Sequence, residues 1–244
     1  MFVISVGMPK AGSAYFYKVT NDVLVASGKV SADIIKKKYH LDWLMKWANN
    51  YIGYMFFYKL FIFWLISIRE GVFVVKTHSP PSLSTRLFHS LGLVKIVYIY
   101  RDPRDVILSA IDHGRRIIDS GQSHTFAKYA DFDGALKRTK RWVERWRRYN
   151  NIPNILIVRY EDLLSNPSAV IQSCEDFLDV SISPEQRQQI LLKYDKKNIQ
   201  QQKNALHFNK AVSARWKTEM SDEQKRRCNE ELGEYLVPMG YELY

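Results

Sequence analysis

Cysteine is scarce in this chain: Cys174 and Cys228 are the two in 244 residues, far apart and with no partner at metal-ligand spacing. A disulfide scaffold is excluded on that ground, and a reducing compartment fits. Acidic side chains are also in deficit, 25 against 36 Lys and Arg, which leaves a net charge of +11. A surplus of that size calls for an anionic ligand, nucleic acid or an acidic membrane face, without choosing among them. Internal repeats, low-complexity tracts and an interdomain linker are missing, so residues 1–244 are expected to fold as a single domain. With 46% hydrophobic and 25% charged residues, the chain is globular, not disordered. An uninterrupted membrane span is lacking as well. The apolar run Tyr51–Ile68 approaches the length of one, but Lys59 sits in its middle and tyrosines are scattered through it. That run is read first as a buried or substrate-lining helix. The second reading is a helix lying on a membrane surface, helped by Lys36, Lys37, Lys38 and Lys46 nearby.

The N-terminus carries the strongest local signal. Phe2–Val6 reads as a buried strand, broken at Gly7 and Pro9, and Gly12 and Ser13 open a helical pattern with Tyr15, Val19 and Val23 on one stripe and Phe16, Thr20 and Leu24 beside it. Strand, tight loop and helix start present backbone N–H groups and a helix dipole to a phosphate. The spacing from Gly7 to Gly12 is that of a Walker A loop, yet Ser13 stands where the lysine belongs and the lysine lies inside the loop as Lys10. The cradle is therefore not that of an ordinary nucleoside triphosphatase. A secretory leader would have to occupy these same residues, so a cytoplasmic location is expected.

Further strands are expected at Val72–Val75, Lys95–Tyr100 and Ile155–Val158, with helical patterns between them. That alternation predicts an open parallel sheet covered on both faces, with ligands bound beyond the carboxyl ends of its strands. Each strand ends in a polar cluster. Lys76 and His78, two apart, share one side of an extended chain, and a histidine there suits a general base or a structural hydrogen bond. Arg101 precedes an N-cap at Asp102 and a first-turn Pro103, with Val106, Ile107, Ala110 and Ile111 as the buried stripe. It is placed for bidentate phosphate contact, with Ser109 two turns on, or for pairing with Asp102 or Asp105. Arg104 is expected at the surface. Tyr160 follows the fourth strand, as a purine-flanking ring or as core. Lys210, Arg215 and Lys217 surround Trp216, as a basic lid or as a solvated loop; the last third, from Ser183, reads as short helices and loops. In Lys137–Arg148, Trp142 and Trp146 are expected in the core and the charges on a wet face.

Taken in order, these pieces resemble the sulfotransferases that use 3′-phosphoadenosine 5′-phosphosulfate (PAPS). The resemblance rests on Pro9-Lys10-Ala11-Gly12-Ser13, Lys76-Thr77-His78, Arg101-Asp102-Pro103-Arg104-Asp105-Val106 with Ser109, Tyr160-Glu161-Asp162-Leu163, and Lys210 with Trp216-Lys217. It implies a central parallel β-sheet flanked by helices on both faces, the P-loop NTPase-like sulfotransferase fold. It implies that Lys10, Ala11, Gly12, Ser13 and Ala14 hold the 5′-phosphosulfate, that Lys10 and Lys76 stabilise the transferring group, and that His78 takes the acceptor's proton. Arg101, Ser109 and Lys210 would bind the 3′-phosphate, and Tyr160 would lie near the adenine. Transfer in this family is in-line and needs no metal.

The departures from the family's pattern are specific. Ala14 and Tyr15 replace its usual second hydroxyl and tryptophan, forfeiting a contact to a charged acceptor of about 1.5–3 kcal/mol. Asn209, Ala211 and Ala214 replace an arginine and glycines of its tail, which weakens the 3′-phosphate clamp. Ser79 replaces a common leucine, touching only acceptor preference. The expected acceptor is a small or lipid-like hydroxyl or amine compound, not nucleic acid, with peripheral membrane contact through residues 51–68. The aromatic run points to an apolar acceptor and the basic helix to an anionic one. Two other readings stay open: a P-loop kinase of a small metabolite, against which Ser13 argues, and a basic surface-binding protein without enzymatic activity.

Overall fold

The computed structural model describes residues 1–46, 50–121, 125–195 and 212–244. Four strands, β1 (Phe2–Gly7), β2 (Val74–Thr77), β3 (Val94–Tyr100) and β4 (Leu156–Arg159), form one parallel sheet in the order β2-β1-β3-β4. Their residues alternate between two cores with the period of a pleated strand. Phe2, Ile4, Val6, Ile96 and Tyr98 join the core on one face, whereas Val3, Val74, Val97, Ile99 and Val158 join the core on the other. Helices cover both, as the alternating sequence pattern predicts. Register brings Val6 opposite Thr77 and Tyr98, so β1 to β3 end near one another and their loops share one edge.

One face carries α1 (Ser13–Ala26) together with the helices after β4: α7 (Tyr160–Ser165), α8 (Pro167–Leu178) and α9 (Pro184–Lys193). Both stripes read from the sequence of α1 are buried. The short α2 (Ala32–Lys38) follows α1 and buries Ala32 and Ile35 in the opposite core. That opposite face carries α3 (Phe57–Glu70), α4 (Leu83–Ser90), α5 (Pro103–Asp119), α6 (Phe132–Asn150) and a C-terminal helix, Asp222–Leu236. The last of these runs 15 residues and is longer than expected; Ser221 and Gln224 close a capping box at its start.

Three expectations need correction. The run Tyr51–Ile68 is not one helix. Residues through Phe56 are non-helical, with Ile52 N–H donating to the Lys76 carbonyl along the β2 edge, and the helix begins at Phe57. Nor is that helix buried all round. Leu60, Phe63 and Ile66 enter the core, while Phe57, Tyr58, Phe61, Leu65 and Ile68 are exposed. Lys59 turns inward, its ammonium donating to the Ile52 carbonyl at 2.9 Å, so the charge that seemed to interrupt an apolar face leaves that face apolar.

Arg104 is not a surface residue. It is 1% exposed, chelates Asp102 through Nε (3.0 Å) and Nη2 (2.8 Å), and lies 3.5 Å over the Trp216 ring. The C-terminal segment closes over α5 and supplies that ring, a contact no local pattern reveals.

In α6 the buried Trp142 and Trp146 agree with expectation, but its charges do not all face water. Arg138 and Arg145 fall on the Trp142 stripe, at i−4 and i+3, and turn inward with it.

Candidate active site

The loop after β1 is fixed by backbone geometry. Met8 N–H donates to the Ile99 carbonyl and Ala11 N–H to the Met8 carbonyl. Gly12 has φ +76°, and a Cβ there would stand 2.5 Å from the Tyr160 ring, so only glycine fits. Lys10 also takes a left-handed conformation, φ +67°, which a non-glycine residue adopts at a cost the rest of the loop must sustain. Helix α1 then starts at Ser13 with no side-chain cap and no carboxylate in its first turn. Its N-terminus is thus suited to an anion. The Lys10 ammonium lies 5.6 Å from the Phe126 ring centroid. Burial, and then the nearby charges of Arg116 and Arg101, push its pKa down to about 8.

His78 follows the end of β2. Its Nδ1 lies 2.7 Å from the Gly7 carbonyl, at the base of the loop. A carbonyl only accepts, so Nδ1 carries the proton and Nε2 keeps its lone pair. Burial first, and the Lys76 charge second, hold the imidazole neutral, down to about 3. Lys76, buried on β2, is itself lowered to about 8 by desolvation. Two donors from α6 fix the backbone of this segment: Arg145 Nη1 to the His78 carbonyl at 3.2 Å, and Tyr149 Oη to the Ser79 carbonyl at 2.9 Å. The Tyr51 ring packs beside the imidazole at 5.5 Å.

Arg101 caps the other side of the loop. It lies 4.7 Å over the Tyr160 ring, which in turn rests on Gly12. Its Nη2 donates to Asp105 Oδ2 at 3.1 Å and to the Val212 carbonyl at 2.6 Å, so the ion-pair reading with Asp105 is realised. Its Nε is buried with no partner. Asp105 is fully buried and also accepts from Trp216 N–H. Ser109 is buried on α5, two turns into the helix that Asp102 caps. Lys210 lies outside the described residues.

Lys10 and His78 open on one cavity of about 740 Å³. Arg116, Arg138 and Arg145 also line it, and Tyr51, Tyr54, Phe126, Tyr129 and Trp142 supply its aromatic walls. Sequence reasoning missed Arg138 and Arg145. The signal was available: 138, 142 and 145 share one helical face, so a buried Trp142 draws both arginines toward the same side. Phe126 and Tyr129 carried no comparable signal, because they lie between α5 and α6, and Arg116 stands in the last turn of α5.

Known proteins supply an independent view. Residues 3–237 match the sulfotransferase domain family. Among curated relatives, a rat sulfotransferase 2A6 is 24% identical over 168 residues, covering 67% of this chain and 55% of its own. The firefly (Photinus pyralis) luciferin sulfotransferase is 26% identical over 162 residues, covering 64% and 42%. The chain therefore spans about half the length of the curated relatives it matches. Among solved structures, a mouse sulfotransferase complexed with PAP aligns with a TM-score of 0.64 at 17% identity, over 97% of this chain and 84% of that one. A retinol dehydratase in complex with androsterone and the inactive cofactor PAP aligns with a TM-score of 0.62 at 17% identity, over 100% and 82%. The sheet, its loop and its helices are those of that fold, and the chain belongs to the sulfotransferase domain family.

Proposed function

We propose that this protein is a single-domain enzyme that moves a sulfuryl group from PAPS to the hydroxyl or amine of a small acceptor, releasing adenosine 3′,5′-bisphosphate. The observation that carries this reading is the His78–Gly7 hydrogen bond, which sets the imidazole tautomer at the loop's base and puts a free Nε2 on the cavity that Lys10 also lines. The residues suit a doubly phosphorylated carrier. An uncapped helix N-terminus, a lysine held in the loop, and a buried arginine Nε without a partner are three donors of one sign near one edge of the sheet.

When bound, PAPS supplies the transferable group. Lys10 and the loop from Ala11 to Ala14 would hold the 5′ end, with Arg101 and Ser109, and Lys210 from the tail, at the 3′-phosphate and Tyr160 beside the adenine. His78 accepts the acceptor's proton at Nε2 as the new bond to sulfur forms and the bond to the bridging oxygen breaks. Lys10 then neutralises the charge left on that oxygen, with Lys76 close behind His78. A titration of the protein with adenosine 3′,5′-bisphosphate in a calorimeter, followed by turnover of labelled PAPS with a chelator present, tests the reading. Absence of nucleotide binding, or loss of activity with the chelator, would sink it.

The exposed aromatic face of α3 supports a second element, contact with a membrane surface. Phe57, Tyr58, Phe61, Leu65 and Ile68 face outward, and Leu87 on the neighbouring α4 and Leu91 just after it are exposed as well. Arg69 at the end of α3 and Lys37 on α2 are exposed and suit anionic headgroups. No helix among the described residues is long and apolar enough to cross a membrane. We place the protein in the cytoplasm, resting on lipid through α3; its two buried free thiols suit that compartment. Co-sedimentation with vesicles containing phosphatidylserine, lost in Phe57→Ser with Phe61→Ser, is expected. Equal sedimentation of that variant would remove α3 from the contact.

A further inference from the structure

The cavity in front of His78 has a one-sided charge balance. Lys10, Arg116, Arg138 and Arg145 line it, and no Asp or Glu does. Segments 47–49, 122–124 and 196–211 contain no acidic residue either, so they bring no carboxylate to balance these charges. Lys10 is accounted for by the donor loop. Arg138 and Arg145 are not, because they stand on α6, and neither Arg101 nor Tyr160 lines the cavity.

Arg138 lies over the rings of Tyr129 (5.7 Å) and Trp142 (5.5 Å), and its Nε is buried with no hydrogen-bond partner. Among the described residues neither Arg138 nor Arg145 is in an ion pair. Arg145 spends one nitrogen on the His78 carbonyl. The buried Arg138 Nε, a donor without a partner, is a standing cost that an anion removes. Both arginines are flanked by flat aromatic walls, which take a ring or another planar apolar body.

We propose that the acceptor is an aromatic or similarly flat hydroxyl compound that carries its own anionic group, held by Arg138 and Arg145 while its hydroxyl faces His78. This rests on the sulfuryl-transfer reading of the site. It also reconciles the two sequence hints, because the aromatic run at Tyr51–Tyr54 and the basic helix meet in one cavity. The anion serves as an orienting handle, holding the ring at the α6 arginines while its hydroxyl reaches the base.

The test uses protein saturated with adenosine 3′,5′-bisphosphate and two probes, 2-naphthol and 6-hydroxynaphthalene-2-sulfonate. Calorimetry should give the sulfonate roughly tenfold or greater preference, the range of one charge-assisted contact. Arg138→Gln and Arg145→Gln should each bring the ratio of the two affinities toward one, with nucleotide affinity serving as the check on folding. Equal binding of the two probes, or no binding of the sulfonate, overturns the proposal while the nucleotide titration leaves the sulfuryl-transfer reading standing. A preference that survives in both variants places the anion at Lys10 or Arg116 and also overturns it. Failure of the nucleotide itself to bind sinks both readings together.

Discussion

The donor side of the site and the cavity in front of His78 solve opposite problems. On the donor side, Arg101 is tied to Asp105, Asp105 to the Trp216 backbone, Arg104 to Asp102, and Tyr160 to Gly12. These arginines and carboxylates are tied to one another, while the buried Arg101 Nε keeps no partner. On the acceptor side, Arg138 and Arg145 stand beside aromatic rings, and among the described residues neither is in an ion pair. A negative group entering there would meet the Arg138 Nε, which is buried and has no partner. The donor wall is built for one fixed geometry, and the acceptor wall for selecting a charge.

The contrast is sharpest where one substitution breaks one wall. His78→Ala should lower turnover by about 10²–10⁴-fold, the usual worth of a positioned base, while nucleotide affinity stays near that of the parent. Unchanged turnover would remove His78 from the chemistry. Arg104→Ala attacks the donor wall's internal pairing. It leaves Asp102 buried and uncompensated, which costs about 3–5 kcal/mol and should lower Tm by on the order of 10 °C. A Tm shift within a degree or two of zero would mean that the pair carries no structural weight. Arg101→Ala should weaken binding of adenosine 3′,5′-bisphosphate by about 2–3 kcal/mol, through the loss of a charge-assisted contact. Parent-like affinity would reduce Arg101 to a partner of Asp105.

The same contrast explains what was legible in the sequence. The donor wall is made of short contiguous pieces, each at a strand end: Gly7 to Ser13, Arg101 with its Asp102 cap and Pro103, and Tyr160. Strand runs, capping residues and glycine spacing report such pieces directly, and the four strands fall within two residues of expectation. The acceptor wall is assembled from Tyr51 before α3, Phe126 before α6, and one face of α6. Nothing local marks those as neighbours. Arg104 failed for a related reason, since its burial depends on Trp216, more than a hundred residues away. The amphipathic reading of α6 failed more narrowly. A stripe of tryptophans defines an inner face, and Arg138 and Arg145 on that same stripe turn partly inward with it.

The smallest predicted effect separates the walls by protons. Lys10 in the free protein titrates at about 8 because burial and neighbouring cations disfavour its charge. A polyanion seated on the donor loop reverses that field and raises the lysine toward its ordinary range. Between those two values the complex holds more protons than the free protein, so binding takes up protons and affinity declines as pH rises through about 8. Calorimetry near pH 9 in buffers of unequal ionisation enthalpy should therefore register uptake of a fraction of a proton per nucleotide. Lys10→Met should abolish most of it. Arg138→Gln should leave it untouched, because that residue belongs to the other wall. Uptake that persists in Lys10→Met would move the proton to Lys76, which is lowered to about 8 as well and lies beside His78 on the adjoining strand.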